Sequence, residues 1–540
     1  MTGMKAPTGS DAPGCAFRFV FRADAALTIG SGHVMRCLTL ADALRAAGQD
    51  CHFICRELPG HLCDLIADRG YPVHRLPEPV EDIQADADPD GVDYAAWAGV
   101  PWAMDAQETR AILEQLQPGW LVLDHYAFDA AWQQVARPEG TKCLSLDDLA
   151  NRDLDADILV DANFGKTRDA YAPHVPDRCE ILLGPAWFPM HPDFAGRRAA
   201  TLLSRETRHL HRVLVAMGAV DLPNATARIL KALGALPFAA DLDVTVVLGQ
   251  HAPALQEVRH IAETLPCACT VQVAITNMPE RMADADLAIA AVGGTTWERC
   301  ALGLPSLMLT IADNQIPAAT ALHAAGIARY LGDVSDPSWT TELTTAITGL
   351  RNAGALAGMA AACANICDGD GAGRIVARLL NLPLTHRPPN HTDSRRVWEW
   401  RYSGQAHRYY RSASRPGFAE HDQWFATALE TPGMVLRILT LGTLPVGYIR
   451  LDLQDARAGL VSICISAHVR GQGLGRKALA LVRELARDQQ LSRLIAEVHA
   501  QNTASLCLFR GCGYTETGKD GAFVVLTQDT HAQDTGQTAS

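Results

Sequence analysis

The 540-residue chain has no run of apolar residues near the ~18 that a membrane-crossing helix requires, so no membrane association is expected. Positive charge is in deficit: 47 Lys and Arg stand against 60 Asp and Glu, a formal net charge of -13. A nucleic-acid surface concentrates Lys and Arg against phosphates, so that class of partner is excluded, whereas a local basic pocket for one nucleotide is not. The 15 cysteines lack a pattern. Cys267 and Cys269 form a C-x-C and Cys51 and Cys55 a C-x-x-x-C, neither with a second pair at zinc-ligand spacing. They read as reduced, buried small side chains of a cytoplasmic protein, and no metal is expected. Met1 to Cys15 carries one Lys and no long apolar core, so residues 1–16 are expected to be a short disordered leader rather than a signal peptide.

What is present is ordinary for a folded protein, with 48% apolar and 20% charged residues. At roughly 100–200 residues per domain the length predicts about three domains. From Phe17 strands and helices alternate. Phe17–Arg22, Cys51–Cys55, Pro72–Leu76, Trp120–Asp124, Lys142–Leu146 and Asp157–Val160 read as strands, with helical patterns at Val34–Ala47 and Leu62–Arg69. This is the pattern of a parallel sheet covered on both faces. A break falls near Pro185 to Arg205, and the alternation restarts with strands at Val213–Met217, Val244–Leu248 and Ala288–Ala291 and a helix at Asn224–Leu233. The expected domains are therefore lobes at 17–200 and 201–382. Two consecutive open α/β lobes place a ligand in the cleft outside the carboxyl ends of their strands.

Residues 383–393 include Pro383, Pro388 and Pro389 and read as a linker. Aromatics and Arg become frequent after it, with strands at Met434–Leu439, Val446–Leu451, Leu460–Ile465 and Leu494–Val498 and a helix from near Gly473. A third domain is expected over 394–528, followed by a disordered tail over 529–540.

Gly30-Ser31-Gly32-His33 lies between the first strand and its helix. The glycines let backbone approach a ligand, and the helix N-terminus disfavours a cation at His33, so the ring is suited to accept a proton from water. Gly293-Gly294-Thr295 opens a later helix whose free N–H groups suit a diphosphate, with Glu298 one turn in. Asp313-Asn314-Gln315 follows a strand on the side that faces the cleft.

The longer strings around these residues resemble a known family. Arg22-Ala23-Asp24 with Ile29 to Ala41, the strand-end Asp124-His125-Tyr126, Asp147-Asp148-Leu149, and Gly293 through Pro305 are similar to the UDP-sugar hydrolases of pseudaminic acid biosynthesis. The resemblance covers roughly Phe17 to Leu380. That family removes UDP from a 2,4-diacetamido-2,4,6-trideoxy-altropyranose, and its relatives are two-lobed glycosyltransferases. The resemblance implies His33, Tyr126 and Asn314 as catalytic residues. It implies nucleotide or sugar contacts at Asp24, Gly30, Ser31, Gly32, Arg36, Gly293, Gly294, Thr295 and Glu298, the last through ribose hydroxyls. It also implies inversion at the anomeric carbon without a metal. One departure is Ala219, where the family commonly has a second glycine before Asp221.

Val469-Arg470-Gly471-Gln472-Gly473-Leu474-Gly475-Arg476 follows a strand and precedes a helix. It fits the R-x-x-G-x-G pyrophosphate loop of the GNAT acetyltransferases, where glycine backbone and a helix N-terminus hold a diphosphate. Asn502 and Leu506 to Tyr514 are similar to the second half of that superfamily. The stretches Trp398–Arg401 and His421–Phe425 resemble the amino-sugar acetyltransferase of the same pathway. Acetyl-CoA as co-substrate is implied. The superfamily's usual proton-donating tyrosine falls on Phe509, which leaves Tyr514 or a water in that role or a thiolate that departs unassisted, and Glu497 or His499 to take the proton of the amine.

The fold expected is therefore α/β: two Rossmann-like lobes of glycosyltransferase-B type followed by a mixed-sheet GNAT domain. The function expected is UDP-sugar hydrolysis with a fused N-acetyltransferase, in the cytoplasm, with other enzymes of the pathway as possible partners. The alternative is an inverting UDP-sugar glycosyltransferase with an accessory acyltransferase.

Overall fold

The computed structural model describes residues 17–79, 94–351, 353–402, 406–412, 414–455 and 457–530. The leader expected over 1–16 and the tail beyond Thr530 lie outside the described residues. The chain divides into two compact units at Val376/Ala377.

The first unit holds two parallel sheets. β1 (Arg18–Ala23), β2 (Asp50–Arg56), β3 (Val73–Leu76), β4 (Trp120–Asp124), β5 (Lys142–Leu146), β6 (Ile158–Asp161) and β7 (Glu180–Leu183) run in the order β3-β2-β1-β4-β5-β6-β7. β8 (Arg212–Ala216), β9 (Asp243–Leu248), β10 (Ala268–Val273), β11 (Leu287–Ala291), β12 (Ser306–Thr310) and β13 (Arg329–Asp333) run β10-β9-β8-β11-β12-β13. In each sheet the order reverses beside the first strand, and such a switch point opens a crevice at the strands' carboxyl ends. The central strands explain the sequence pattern. β4, β11 and β12 are buried along their whole length, so they read as unbroken apolar runs rather than alternating ones.

Residues Pro185 to Arg205, read as a break, instead contain the helix Pro192–Arg205. Its Phe194 joins the second sheet's core, and Arg205 donates to the carbonyls of Met282, Ala285 and Leu302. By contacts this helix belongs with the second lobe, although it straddles the boundary expected at 200. A long amphipathic helix carrying Arg on its buried side does not announce itself as apolar, and carbonyl acceptors at the ends of other elements are what make that burial tolerable.

The second unit is built on a mixed sheet. β14 (Leu384–Arg387), β15 (Met434–Leu441), β16 (Leu444–Leu453), β17 (Ala458–Ile465), β18 (Arg493–His499), β19 (Thr515–Asp520) and β20 (Phe523–Asp529) run β14-β15-β16-β17-β18-β20-β19. The linker expected over 383–393 is corrected here. Leu384–Arg387 pairs antiparallel with β15, and Asn390 caps a short turn by reciprocal bonds with Asp393. Pro388 and Pro389 only end an edge strand, the place in a sheet where Pro is tolerated. Asp529, counted with the tail, closes β20.

Candidate functional sites

In the first lobe β1 feeds a tight loop. Gly30 N donates to the Ala26 carbonyl at 2.8 Å, with Gly30 at φ +80. The helix Gly32–Ala46 starts there and puts His33 in its first turn. The His33 side chain is 11% exposed, with Nδ1 2.6 Å from Asp124 Oδ1. Asp124 ends β4 and is fully buried. Burial opposes its ionisation, but Arg36 and then His33 hold its carboxyl well below the usual carboxylate range. An ionised Asp124 accepts from Nδ1–H, which leaves Nε2 as the free, proton-accepting nitrogen.

Arg36, expected to touch the substrate, is committed within the protein. Its Nε and Nη2 lie 2.6 and 2.7 Å from the two Asp124 oxygens, and Nη1 lies 2.8 Å from Asp148 Oδ2. Tyr126 also donates its hydroxyl to Asp148 Oδ2, and burial together with that carboxylate pushes the phenol well up. Tyr126 is therefore a neutral donor beside the histidine, its ring perpendicular to His33 with centroids 4.7 Å apart. Asp24 is corrected as well. It is fully buried, paired with Arg22 at 2.7 Å and accepting from Arg56 N at 2.7 Å. It neutralises a buried guanidinium beneath the site and presents no surface to a ligand, because Arg22 cannot stay buried without a counter-charge.

In the second lobe Gly293, Gly294 and Thr295 are exposed beyond β11 at the start of the helix Thr295–Ala301. A Cβ on Gly294 would stand 3.0 Å from the Phe188 ring. Glu298 is half-buried, and burial pushes its carboxyl up to about 7 against the opposing pull of Arg299. The Arg299 guanidinium is spent on Thr295, Thr296, Ser306 and the Ala291 carbonyl. Asn314, in the turn Asp313–Gln315 after β12, places Nδ2 3.5 Å from the hydroxyl of Tyr94 in the first lobe. Ala219 is accommodated: its carbonyl accepts from Gly249 N at 2.8 Å, while Asp221 caps the next helix at Ala225 N and Thr226 N.

Four residues of this cleft escaped the sequence reading. Asp124 ends β4 and Asp148 lies two residues past β5, both inside the strings that carry the resemblance, and that position at the carboxyl ends of strands is the available signal. Tyr94 and Trp97 carried none. Trp97 stacks on Tyr126 at 5.4 Å and meets His33 edge-on at 5.8 Å, and Tyr94 packs against both at 4.9 and 5.2 Å.

The second unit has a different site. β17 and β18 pair only from Ala458–Leu460 to Arg493–Ile495, so their carboxyl halves part from each other while β17 stays paired with β16 and β18 with β20. The loop after β17 carries Val469, buried, and Arg470, whose Nε donates to the Ile465 carbonyl. Gly471 and Gly473 take φ +81 and +73, and a Cβ on either would meet nothing within 4 Å. Gln472 is half-buried between them. The helix Leu474–Asp488 begins there, with Gly475 so close to Leu508 that a Cβ would lie 2.9 Å from it, and with Arg476 exposed. Asn502 is spent locally, capping the helix Thr503–Gly511 at Ser505 N. Glu497 accepts from Arg411 Nε at 2.7 Å, and Arg411 Nη2 reaches Asp520 at 2.6 Å. His499 lies between the rings of Tyr409 and Phe523. Tyr514 is buried against Phe509, and its hydroxyl has no partner among the described residues; burial pushes that phenol up.

Among the described residues no group of His, Cys, Asp or Glu is arranged to hold a metal ion, and no helix is long and apolar enough to cross a membrane.

Two parallel-sheet lobes of the glycosyltransferase-B type and a mixed-sheet acyltransferase domain are thus the classes that the fold defines. Comparison with known proteins agrees. Residues 384–515 match the acetyltransferase (GNAT) domain family. Over 177 residues, 33% of the chain, the sequence is 27% identical to the spore coat polysaccharide biosynthesis protein SpsG of Bacillus subtilis, and the match spans 50% of that protein. It is 24% identical over 213 residues, 39% of the chain and 64% of the relative, to the UDP-2,4-diacetamido-2,4,6-trideoxy-beta-L-altropyranose hydrolase of Campylobacter jejuni. An uncharacterized protein of Methanocaldococcus jannaschii is 20% identical over 92% of this chain and 96% of its own. The crystal structure of Acinetobacter baumannii MurG shares the fold over 68% of this chain and 99% of its own, at 16% identity and a TM-score of 0.50. The chain is thus similar over part of its length to a nucleotide-sugar hydrolase and carries a GNAT domain in its second unit.

Proposed function

We propose that the first unit hydrolyses UDP-2,4-diacetamido-2,4,6-trideoxy-β-L-altropyranose to UDP and the free sugar. The observation that carries this reading is the His33–Asp124 pair, with Nδ1 committed to a buried carboxylate and Nε2 left to accept a proton. In the proposed step His33 takes a proton from water as the oxygen bonds to the anomeric carbon. The bond from that carbon to the diphosphate oxygen breaks on the opposite face, so the configuration inverts. The N–H groups of Gly294 and Thr295 receive the departing diphosphate, while Gly293 N donates to Thr296 Oγ1 and holds the turn, and Glu298 accepts from the ribose hydroxyls. Asn314, across the cleft from Tyr94, contacts the sugar.

The second unit is proposed to acetylate an amine of a sugar from the same pathway, with acetyl-CoA as co-substrate. The glycine loop fits a diphosphate, since backbone at Gly471 and Gly473 faces open space and a helix starts directly after it. The carboxyl halves of β17 and β18 part from each other, which opens their facing edges beside that loop. Glu497 or His499 takes the proton lost by the amine as its nitrogen bonds to the acetyl carbon and the carbon–sulfur bond breaks.

The test is UDP release from this nucleotide sugar with neither acceptor nor metal added. Wild type is expected to release UDP, and His33→Ala to lose about a hundredfold or more in rate, within the range for removal of a general base. Release that begins only when an acceptor hydroxyl is supplied replaces the hydrolase with a glycosyltransferase.

A further inference from the structure

We infer that Trp97 and Tyr94 form a wall that admits water to His33 and excludes larger hydroxyls, so that these two residues decide between hydrolysis and transfer to an alcohol. The inference rests on the hydrolase reading above.

The geometry is local to His33. A nucleophile that gives its proton to Nε2 must hold its oxygen within hydrogen-bond reach of that nitrogen, about 2.6–3.2 Å. Any carbon attached to that oxygen must then project away from both the base and the anomeric carbon. Nδ1 is closed by Asp124. Tyr126 and Trp97 stand nearly perpendicular to the imidazole, at 86° and 79°, with ring centroids 4.7 and 5.8 Å away. The two rings are themselves stacked at 5.4 Å and 22°. Tyr94 covers both edge-on, and its hydroxyl lies 3.5 Å from Asn314 Nδ2 on the opposite lobe. With the wall in place 11% of the base's side chain stays exposed, an opening that suits a small nucleophile. It is held from behind as well: Tyr126 is tied to Asp148, which Arg36 ties in turn to Asp124. Exclusion of this kind protects a reactive centre from side reactions, and the size of one methyl group is worth about 10–200-fold at a closed pocket.

Methanol is the probe. In the presence of methanol two products compete. Water gives the free sugar. Methanol gives the methyl glycoside, its oxygen bonding to the anomeric carbon, its proton passing to His33 and UDP departing as before. The ratio of the two, read by mass spectrometry or NMR, is internal to each protein and does not depend on how fast a variant turns over. Wild type is expected to yield essentially free sugar. Trp97→Ala is expected to raise the glycoside-to-sugar ratio about tenfold or more, with Trp97→Phe in between. Tyr94→Ala serves as a second variant should Trp97→Ala fold poorly, and it should raise the ratio in the same sense. Glycoside formed through the site carries the inverted configuration. An unchanged ratio in variants that still release UDP overturns the wall, as does a wild type that already forms glycoside at the variants' ratio. A wild type that releases no UDP in water overturns the hydrolase reading and, with it, the wall.

Discussion

His33 can act as a base only in one tautomer, and a single carboxylate selects it. Asp124→Asn keeps the shape but presents an amide, whose NH₂ can donate to Nδ1 and so place the ring proton on Nε2. The expected outcome is a fall in kcat of about 10²–10⁴ with UDP affinity little changed, measured by steady-state UDP release and by titration with UDP. Glu298 yields a pH signature. Its folded-state value is raised to about 7 by burial, so the folded protein retains a proton that the unfolded chain loses near 4.5. The sign is therefore that Glu298 lowers stability as pH rises from about 4.5 through 7. Ribose hydroxyls donate to the ionised form, so UDP binding should pull the carboxyl towards ionisation. UDP affinity is expected to tighten about tenfold between pH 6 and 8, and Glu298→Gln to remove that increment, both read by titration calorimetry. The UDP phosphate titrates equally against both proteins, so the difference between them is the readout. These roles were only half legible in the sequence. His33 and Glu298 stand at helix starts, which local pattern reveals, whereas the partner that orients His33 lies 91 positions away along the chain.

At the scale of elements, the glycine loop before the helix Leu474–Asp488 depends on backbone shape. Gly473 sits at φ +73 in the left-handed region, where a β-branched side chain is strained by roughly 1–2 kcal/mol and would also fill the open face of the loop. Gly473→Val is expected to weaken coenzyme A binding by about tenfold or more, measured by titration, while UDP release by the same protein stays at the wild-type rate. The converse holds for His33→Ala, which should retain acetyl transfer. Element types were legible wherever one period ran long enough. β4 and β5 fall on the residues that their apolar runs mark, and the other strands of the reading differ only at their ends. Some edge strands were not legible, although β3, at an edge of the first sheet, was. β7 has four residues, and β10 has no fully buried position, so neither shows a face. β14 was hidden by the prolines after it, because Pro marks the end of an edge strand and a flexible linker alike.

For the whole molecule, the division at Val376/Ala377 separates two units with their own apolar cores, which is why two chemistries can be assigned and tested one at a time. The sequence by itself determined the strand–helix alternation of the two lobes, the two glycine turns that suit diphosphates and the histidine that opens the first helix. Each of these is written in adjacent residues, through periodicity, backbone freedom and the unpaired N–H groups of a helix start. Only the tertiary structure decided which charges are spent and which are free. Asp24 and Arg36 look like ligand contacts in one dimension and are neutralised inside the protein, whereas Trp97, silent in the sequence, meets His33 edge-on and Tyr94, equally silent, packs on Trp97 and Tyr126. A buried charge must find its counter-charge wherever the fold brings one near, and a cleft wall is assembled from residues far apart in the chain. Neither is a local property, and so neither can be read from neighbouring residues.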